Sequence, residues 1–132
     1  MDNLPYLCKQ IKRTDLNLII DIGNNSAKFF LFKDGKTILH TRKENTSFDT
    51  IGEWNKEFGI AKAIVSSVIA EPKGLEDELA KLTCPVIRFN SSTPLPLTIK
   101  YATPGTLGSD RLAAAIGAWS QAPNRNLLVV DA

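Results

Sequence analysis

Leu16 to Ile22 is a near-continuous apolar run, the pattern of a strand buried on both faces. Gly23-Asn24-Asn25 interrupts it, and Ala27 to Lys33 resumes as a second strand. Asp34-Gly35 is a hairpin turn signal, and Thr37 to Thr41 follows as a third strand. The chain therefore opens as a three-stranded antiparallel meander. Phe48, Ile51, Trp54, Asn55 and Phe58 then form a helical stripe closed by Gly59, with Trp54 and Phe58 as core residues. Ala61 to Val68 reads as a strand. Leu75, Leu79 and Leu82 mark a helix with acidic residues in its first turns and Lys81 near its end, as the macrodipole favours. Val86 to Phe89 is a strand, Asn90 to Pro96 a loop, and Leu97 to Tyr101 a short strand. A second loop, Thr103 to Gly108, leads into a small-residue helix from Ser109 to Gln121. Pro123-Asn124 turns the chain into Leu127 to Val130, expected as a last buried strand. The order β-β-β-α-β-α-β-β-α, with one further strand, predicts an α/β fold with a mixed sheet.

One internal repeat divides this pattern. Leu18-Ile19-Ile20-Asp21 and Leu128-Val129-Val130-Asp131 share one design, an apolar strand ending in a carboxylate. It predicts a first lobe over residues 15–124 and the opening strand of a duplicated second lobe at 125–132. Residues 1–14 show no period and read as an extension.

Composition narrows the classes. With 132 residues and 43% hydrophobic content, the chain can bury roughly two-thirds of its unfolded surface. Eight Gly, seven Pro and ordinary aromatic content exclude collagen-like and broadly disordered chains. The longest apolar stretch, Leu112 to Trp119, is far short of the ~20 residues that cross a bilayer. The first residues do not read as a signal peptide either, so the expectation is a soluble, cytoplasmic protein without a membrane partner. Cys8 and Cys84 stand far apart with a single His in the chain, which argues against zinc and suits a reducing compartment. The net charge of +2 resides in the first fourteen residues, through Lys9, Lys12 and Arg13 against Asp2. The remainder is balanced, which argues against nucleic acid as a partner.

Two segments hold candidate chemistry. In Asp21-Ile22-Gly23-Asn24-Asn25-Ser26-Ala27-Lys28, a strand-end carboxylate can hold a hydrated metal ion, and a Gly-Asn turn can present backbone N–H groups to phosphate. The same residues also suit a plain hairpin turn. In Tyr101-Ala102-Thr103-Pro104-Gly105-Thr106-Leu107-Gly108-Ser109-Asp110-Arg111, Ser109 or Asp110 suits a helix cap. A carboxylate and a guanidinium beside a Gly-containing loop equally suit a small substrate with a hydroxyl and a carboxylate. His40, within a Thr/Arg/Lys run, reads as a surface strand residue rather than a base.

Taken in order, Asp21-Ile22-Gly23-Asn24, the eleven-residue Tyr101–Arg111 segment and Val130-Asp131 resemble type III pantothenate kinase. That family belongs to the acetate/sugar kinase, Hsp70 and actin superfamily, and the resemblance covers residues 16 to 132. It implies two ribonuclease-H-like (actin-like ATPase) lobes with ATP in the cleft, and phosphorylation of the primary hydroxyl of pantothenate, which opens coenzyme A synthesis. Asp21 to Lys28 would contact the ATP phosphates, with Asp21 holding Mg²⁺ through water. Asp110 would be the general base; Tyr101, Gly108, Ser109, Asp110 and Arg111 would bind pantothenate. Asp131 would bind a monovalent cation, K⁺ or NH₄⁺, and the enzyme would be a homodimer. Ala113, Ala114, Ala115 and Gly117 permit close helix approach at such an interface, although packing within the domain is the first expectation. Asn25 departs from the family pattern, which has Thr or Ser there. The chain ends at Ala132, before the Gly-Thr that completes the family's second phosphate loop, so the chain alone is expected to be inactive. The alternatives are a non-catalytic, ligand-sensing member of the family, or a sugar or acetate kinase relative.

Overall fold

The computed structural model describes residues 15–70 and 72–130. The expected extension at 1–14, Cys8 and Asp131 lie outside the described residues. Strands β1 (Asn17–Ile22), β2 (Ser26–Lys33) and β3 (Lys36–Glu44) precede helix α1 (Thr50–Phe58) and strand β4 (Lys62–Ser67). Helix α2 (Leu75–Leu79), strand β5 (Val86–Phe89), a 3₁₀ turn (Pro104–Thr106) and helix α3 (Ser109–Gln121) follow. Packing divides the chain into two compact units, Met1–Ile87 and Arg88–Ala132.

The five strands form one sheet in the order β3-β2-β1-β4-β5. β1 pairs antiparallel with β2 and parallel with β4, so the α/β class and the mixed sheet are as the sequence predicts. Asp34 and Gly35 turn β2 into β3 with φ of 50° and 75°. Two successive left-handed residues give the twist that a tight hairpin needs, and the Asp-Gly pair tolerates them.

One face of the sheet is the core. Leu18, Ile20 and Ile22 of β1, Ala27, Phe29 and Leu31 of β2, and Ala63 and Val65 of β4 are all buried. Ile51, Trp54 and Phe58 of α1, and Leu75 and Leu79 of α2, belong to the same cluster. Phe29 meets Phe48 and Trp54 edge-to-face, with ring centroids 6.5 and 6.4 Å apart. α1 begins where the Asp49 carboxylate accepts from Thr50 N–H at 3.0 Å, and ends where Gly59, at φ 72°, donates to the Asn55 carbonyl. Glycine is needed there because φ is positive.

The sequence pattern fails in four places. β1 is fully buried on one face only: Asn17 is exposed, and Ile19 and Asp21 are half-buried. The reason is visible in register, since Asp21 shares a row with Lys28 and Ser66, and Lys28 pairs with Arg42, a polar set that does not fill a core. α2 stops at Leu79, short of Leu82, and Lys81 lies beyond its end on Glu78. Leu97 to Tyr101 is no strand. Leu95, Leu97 and Ile99 are half-buried in alternation with Pro96, Thr98 and Lys100, but Pro94 and Pro96 carry no N–H for a ladder. Leu127 to Val130, expected as a buried strand, is unpaired and exposed, Leu128 at 91% and Val130 at 78%. An apolar run becomes a strand only when a neighbour supplies the ladder, and among the described residues none does.

Candidate functional site

The first candidate segment sits at the carboxyl end of β1, where the chain leaves the sheet. Register places Asp21 opposite Lys28 on one side and Ser66 on the other, all on the face away from the core. The Asp21 carboxylate is half-buried, and among the described residues nothing hydrogen-bonds or ion-pairs with it. Ile22 and Ala27 are buried and anchor the two strand ends. The Val68 N–H holds the Ile22 carbonyl at 3.0 Å from the β4 side.

Between these anchors the turn Gly23–Asn25 is tightly held through its carbonyls. Gly23 N–H donates to the Ser26 carbonyl at 2.9 Å, and Asn45 N–H donates to the Asn25 carbonyl at 3.4 Å. Asn45 Nδ2 donates to the Gly23 carbonyl at 2.6 Å, and Arg42 Nε donates to Ser26 Oγ at 2.8 Å. Asn24 and Asn25 are exposed, and among the described residues their backbone N–H groups have no acceptor. Two adjacent amides left open at a strand end can donate to an anion. Lys28, exposed on the neighbouring strand, adds positive charge to that row.

The second segment lies in the other unit. Thr103 and Thr106 close the 3₁₀ turn, their hydroxyl oxygens 2.6 Å apart and the Thr106 N–H on the Thr103 carbonyl at 2.9 Å. Gly108 is the N-cap of α3, and its carbonyl accepts from Leu112 N–H at 3.2 Å. Ser109 is half-buried, while Tyr101, Asp110 and Arg111 are exposed. The Asp110 carboxylate folds back along the helix start, with Oδ1 accepting from Arg111 N–H at 2.9 Å. A methyl group on Gly108 would lie 2.5 Å from that oxygen, so the carboxylate occupies space only glycine leaves open. An exposed carboxylate with one oxygen held and the other free can accept a proton from a bound hydroxyl. In α3, Ala114, Ala115 and Gly117 are half-buried and Ala113 is exposed. Among the described residues, a methyl group on Gly117 would meet no atom within 4 Å.

Residues 17–132 match the family described as type III pantothenate kinase. The chain belongs to that family. A type III pantothenate kinase from Bacteroides fragilis is 41% identical over 117 residues, which is 89% of this chain and 48% of the relative. One from Phocaeicola vulgatus is 38% identical over 117 residues, with the same two shares. The chain thus spans about half the length of the curated relatives it matches. A solved Bacteroides thetaiotaomicron protein with an actin-like ATPase fold aligns at TM-score 0.44 and 13% identity, over 64% of this chain and 37% of that one. That likeness is too slight to argue from.

Residues 21–28 therefore come together in one turn, and Tyr101, Gly108, Ser109, Asp110 and Arg111 in one segment of the second unit. Sequence reasoning did not find Asn45 or Arg42, both of which hold the first turn from β3 and its end. Only the β2–β3 register, Ser26 opposite Glu44, brings them there. Cys84 is a half-buried free thiol whose pKa burial pushes up. His40 is exposed and stacks on Phe30 with ring centroids 6.1 Å apart, as a surface strand residue.

Proposed function

We propose that this chain provides the first phosphate loop and the pantothenate-binding segment of an enzyme that phosphorylates pantothenate to 4′-phosphopantothenate with ATP, the first step of coenzyme A synthesis. The observation that carries it is the pair of open amides at Asn24 and Asn25 beside Asp21, in a chain of this family. Asn24 and Asn25 receive the ATP phosphates with Asp21 and Lys28 beside them, whereas Ile22 and Ala27, expected among the phosphate contacts, are fully buried and only anchor the turn. The Asp110 carboxylate accepts the proton as the primary hydroxyl forms its bond to the γ-phosphorus and the bond to the bridging oxygen breaks, releasing ADP. Tyr101, Gly108, Ser109 and Arg111 bind pantothenate, with Arg111 suited to its carboxylate.

Among the described residues no group of three His, Cys, Asp or Glu can hold a metal ion. A lone Asp21 fits Mg²⁺, which keeps several waters and binds through one or two carboxylates plus substrate phosphates. When bound, the ion neutralises charge on the phosphates. Asp131 is assigned the monovalent cation, K⁺ or NH₄⁺, and the enzyme is a homodimer of the cytoplasm. No helix among the described residues is long and apolar enough to cross a membrane.

The non-catalytic reading has nothing in its favour, since Asp21 and Asp110 are both in place. Asp110→Asn in the full reading frame keeps size and polarity but cannot take a proton. It is expected to lower kcat on the order of 10²–10⁴-fold with little change in the pantothenate KM. Unchanged turnover would reduce Asp110 to a helix-start residue.

A further inference from the structure

The turn Gly23–Asn25 is short and built from residues that adopt several backbone conformations at similar energy. Its amides serve a phosphate only if one conformation is kept. The geometry points to Asn45 as the positioning residue that keeps it, an inference that rests on reading residues 21–28 as a phosphate loop.

Asn45 follows β3, and the register Ser26 opposite Glu44 sets it beside Asn25. It grips the turn twice, through Nδ2 on the Gly23 carbonyl at 2.6 Å and through its own N–H on the Asn25 carbonyl at 3.4 Å. A trans peptide is planar, with its C=O and N–H pointing opposite ways. The Gly23 carbonyl and the Asn24 N–H share one such peptide. Holding that carbonyl toward Asn45 therefore aims the Asn24 N–H away from Asn45 and out of the turn. The Asn25 carbonyl fixes the Ser26 N–H in the same way. Asn45 thus sets donor directions at a site it need not touch.

The amide does this at a cost. Asn45 Oδ1 is buried and, among the described residues, has no hydrogen-bond partner. An apolar side chain would avoid leaving that oxygen unpaired, but it would supply no donor for Gly23. Reversing the amide would set its oxygen against the Gly23 carbonyl, so the orientation is fixed by the bond it makes. The same side chain lines an open cleft of about 460 Å³ with Thr46, Lys73 and Gly74, which gives an aqueous approach next to the loop's anchor.

The test uses the ¹⁵N-labelled 132-residue chain, titrated with Mg-ATP and separately with tripolyphosphate, which has no base or sugar. The Asn24 and Asn25 amide resonances are expected to move in both titrations. Asn45→Ala, which removes one hydrogen bond, should raise the apparent Kd about 3- to 10-fold. Asn45→Asp can only accept and adds a negative charge, so its Kd should rise more than about tenfold and recover in part with salt. Melting temperature and the resonances outside residues 21–28 and 44–46 should stay put. If the wild-type amides fail to move at saturating tripolyphosphate, the phosphate-loop reading falls and this inference falls with it. If they move and all three chains bind equally, Asn45 alone loses its role, whether or not the variants melt earlier. Should both variants fail to fold, the wild-type Asn45 side-chain amide decides. It must shift together with Asn24, and a static Asn45 signal overturns the coupling.

Discussion

Gly108→Ala separates the position of the Asp110 carboxylate from the stability of the fold. Gly108 has φ −59° and ψ 139°, a backbone region open to any residue, so alanine meets no strain there. Losing glycine's freedom in the unfolded chain favours the variant by about 0.4–1 kcal/mol. Against this, alanine is a poorer N-cap than glycine, by roughly 1 kcal/mol or less. The two nearly cancel, so the melting temperature should hold within a few degrees. Asp110 Oδ1 is displaced instead. The added methyl would stand 2.5 Å from it, and ordinary contact begins at 3.4 Å. The carboxylate must withdraw by about 0.9 Å or swing away, giving up its bond to Arg111 N–H. A misplacement of about 1 Å can cost on the order of 100-fold, or about 2.7 kcal/mol of barrier at 1.36 kcal/mol per tenfold. Steady-state kcat at saturating ATP and pantothenate, measured in the full reading frame, is the assay, beside a thermal melt of the same protein. Wild-type kcat with an unchanged melt would mean that the carboxylate position over Gly108 is not the productive one.

Other outcomes are expected elsewhere. The Ser47 hydroxyl at 2.6 Å, foremost, then Thr50 N–H and Lys43, hold the Asp49 carboxyl below its ordinary value of 3.8, against a smaller opposing effect of burial. A carboxyl lowered on folding contributes stability above its unfolded pKa and loses it as pH falls through the folded one. Melting temperatures taken downward from about pH 4 should therefore fall less steeply for Asp49→Asn than for wild type, by a small margin because the group is exposed; parallel slopes would remove Asp49 from this role. Phe29→Ala empties a fully buried ring site between Phe48 and Trp54, and urea unfolding should register a loss of about 3–5 kcal/mol. The 132-residue chain should unfold cooperatively yet form no phosphopantothenate from Mg-ATP, K⁺ and pantothenate, since positioning is most of what phosphoryl transfer needs. A rate comparable to that of the full reading frame would refute the two-lobe reading.

What the sequence disclosed follows from where each signal originates. The meander was legible because two apolar runs, Leu16 to Ile22 and Ala27 to Lys33, are parted by Gly23-Asn24-Asn25, and Asp34-Gly35 names its own turn. α1 was legible because Ile51, Trp54 and Phe58 keep helical spacing to one packed face. Leu97 to Tyr101 and Leu127 to Val130 carry equally good apolar patterns, yet a ladder is a property of two segments and one segment cannot reveal it. The same limit hid Asn45. Its acceptor is a backbone carbonyl 22 residues earlier, and backbone carbonyls leave no mark in a sequence. Asp21 and Asp110 could be named because the segments around them resemble a known family; what holds the turn beside Asp21 emerged only from strand register.

β3 is an outer strand of the sheet, and an outer strand offers a row of donors and acceptors to any passing chain. Here Lys36, Arg42, Lys43 and Glu44 are all exposed along it, and the pairing with β2 is irregular between Leu31 and Phe32. A foreign strand laid against this edge would have to desolvate those charges and follow a broken register. The element that holds Ser26, at the end of the Gly23–Asn25 turn, through Arg42 therefore also resists fibrillar stacking of neighbouring molecules, so the molecule braces that turn without acquiring a sticky flank.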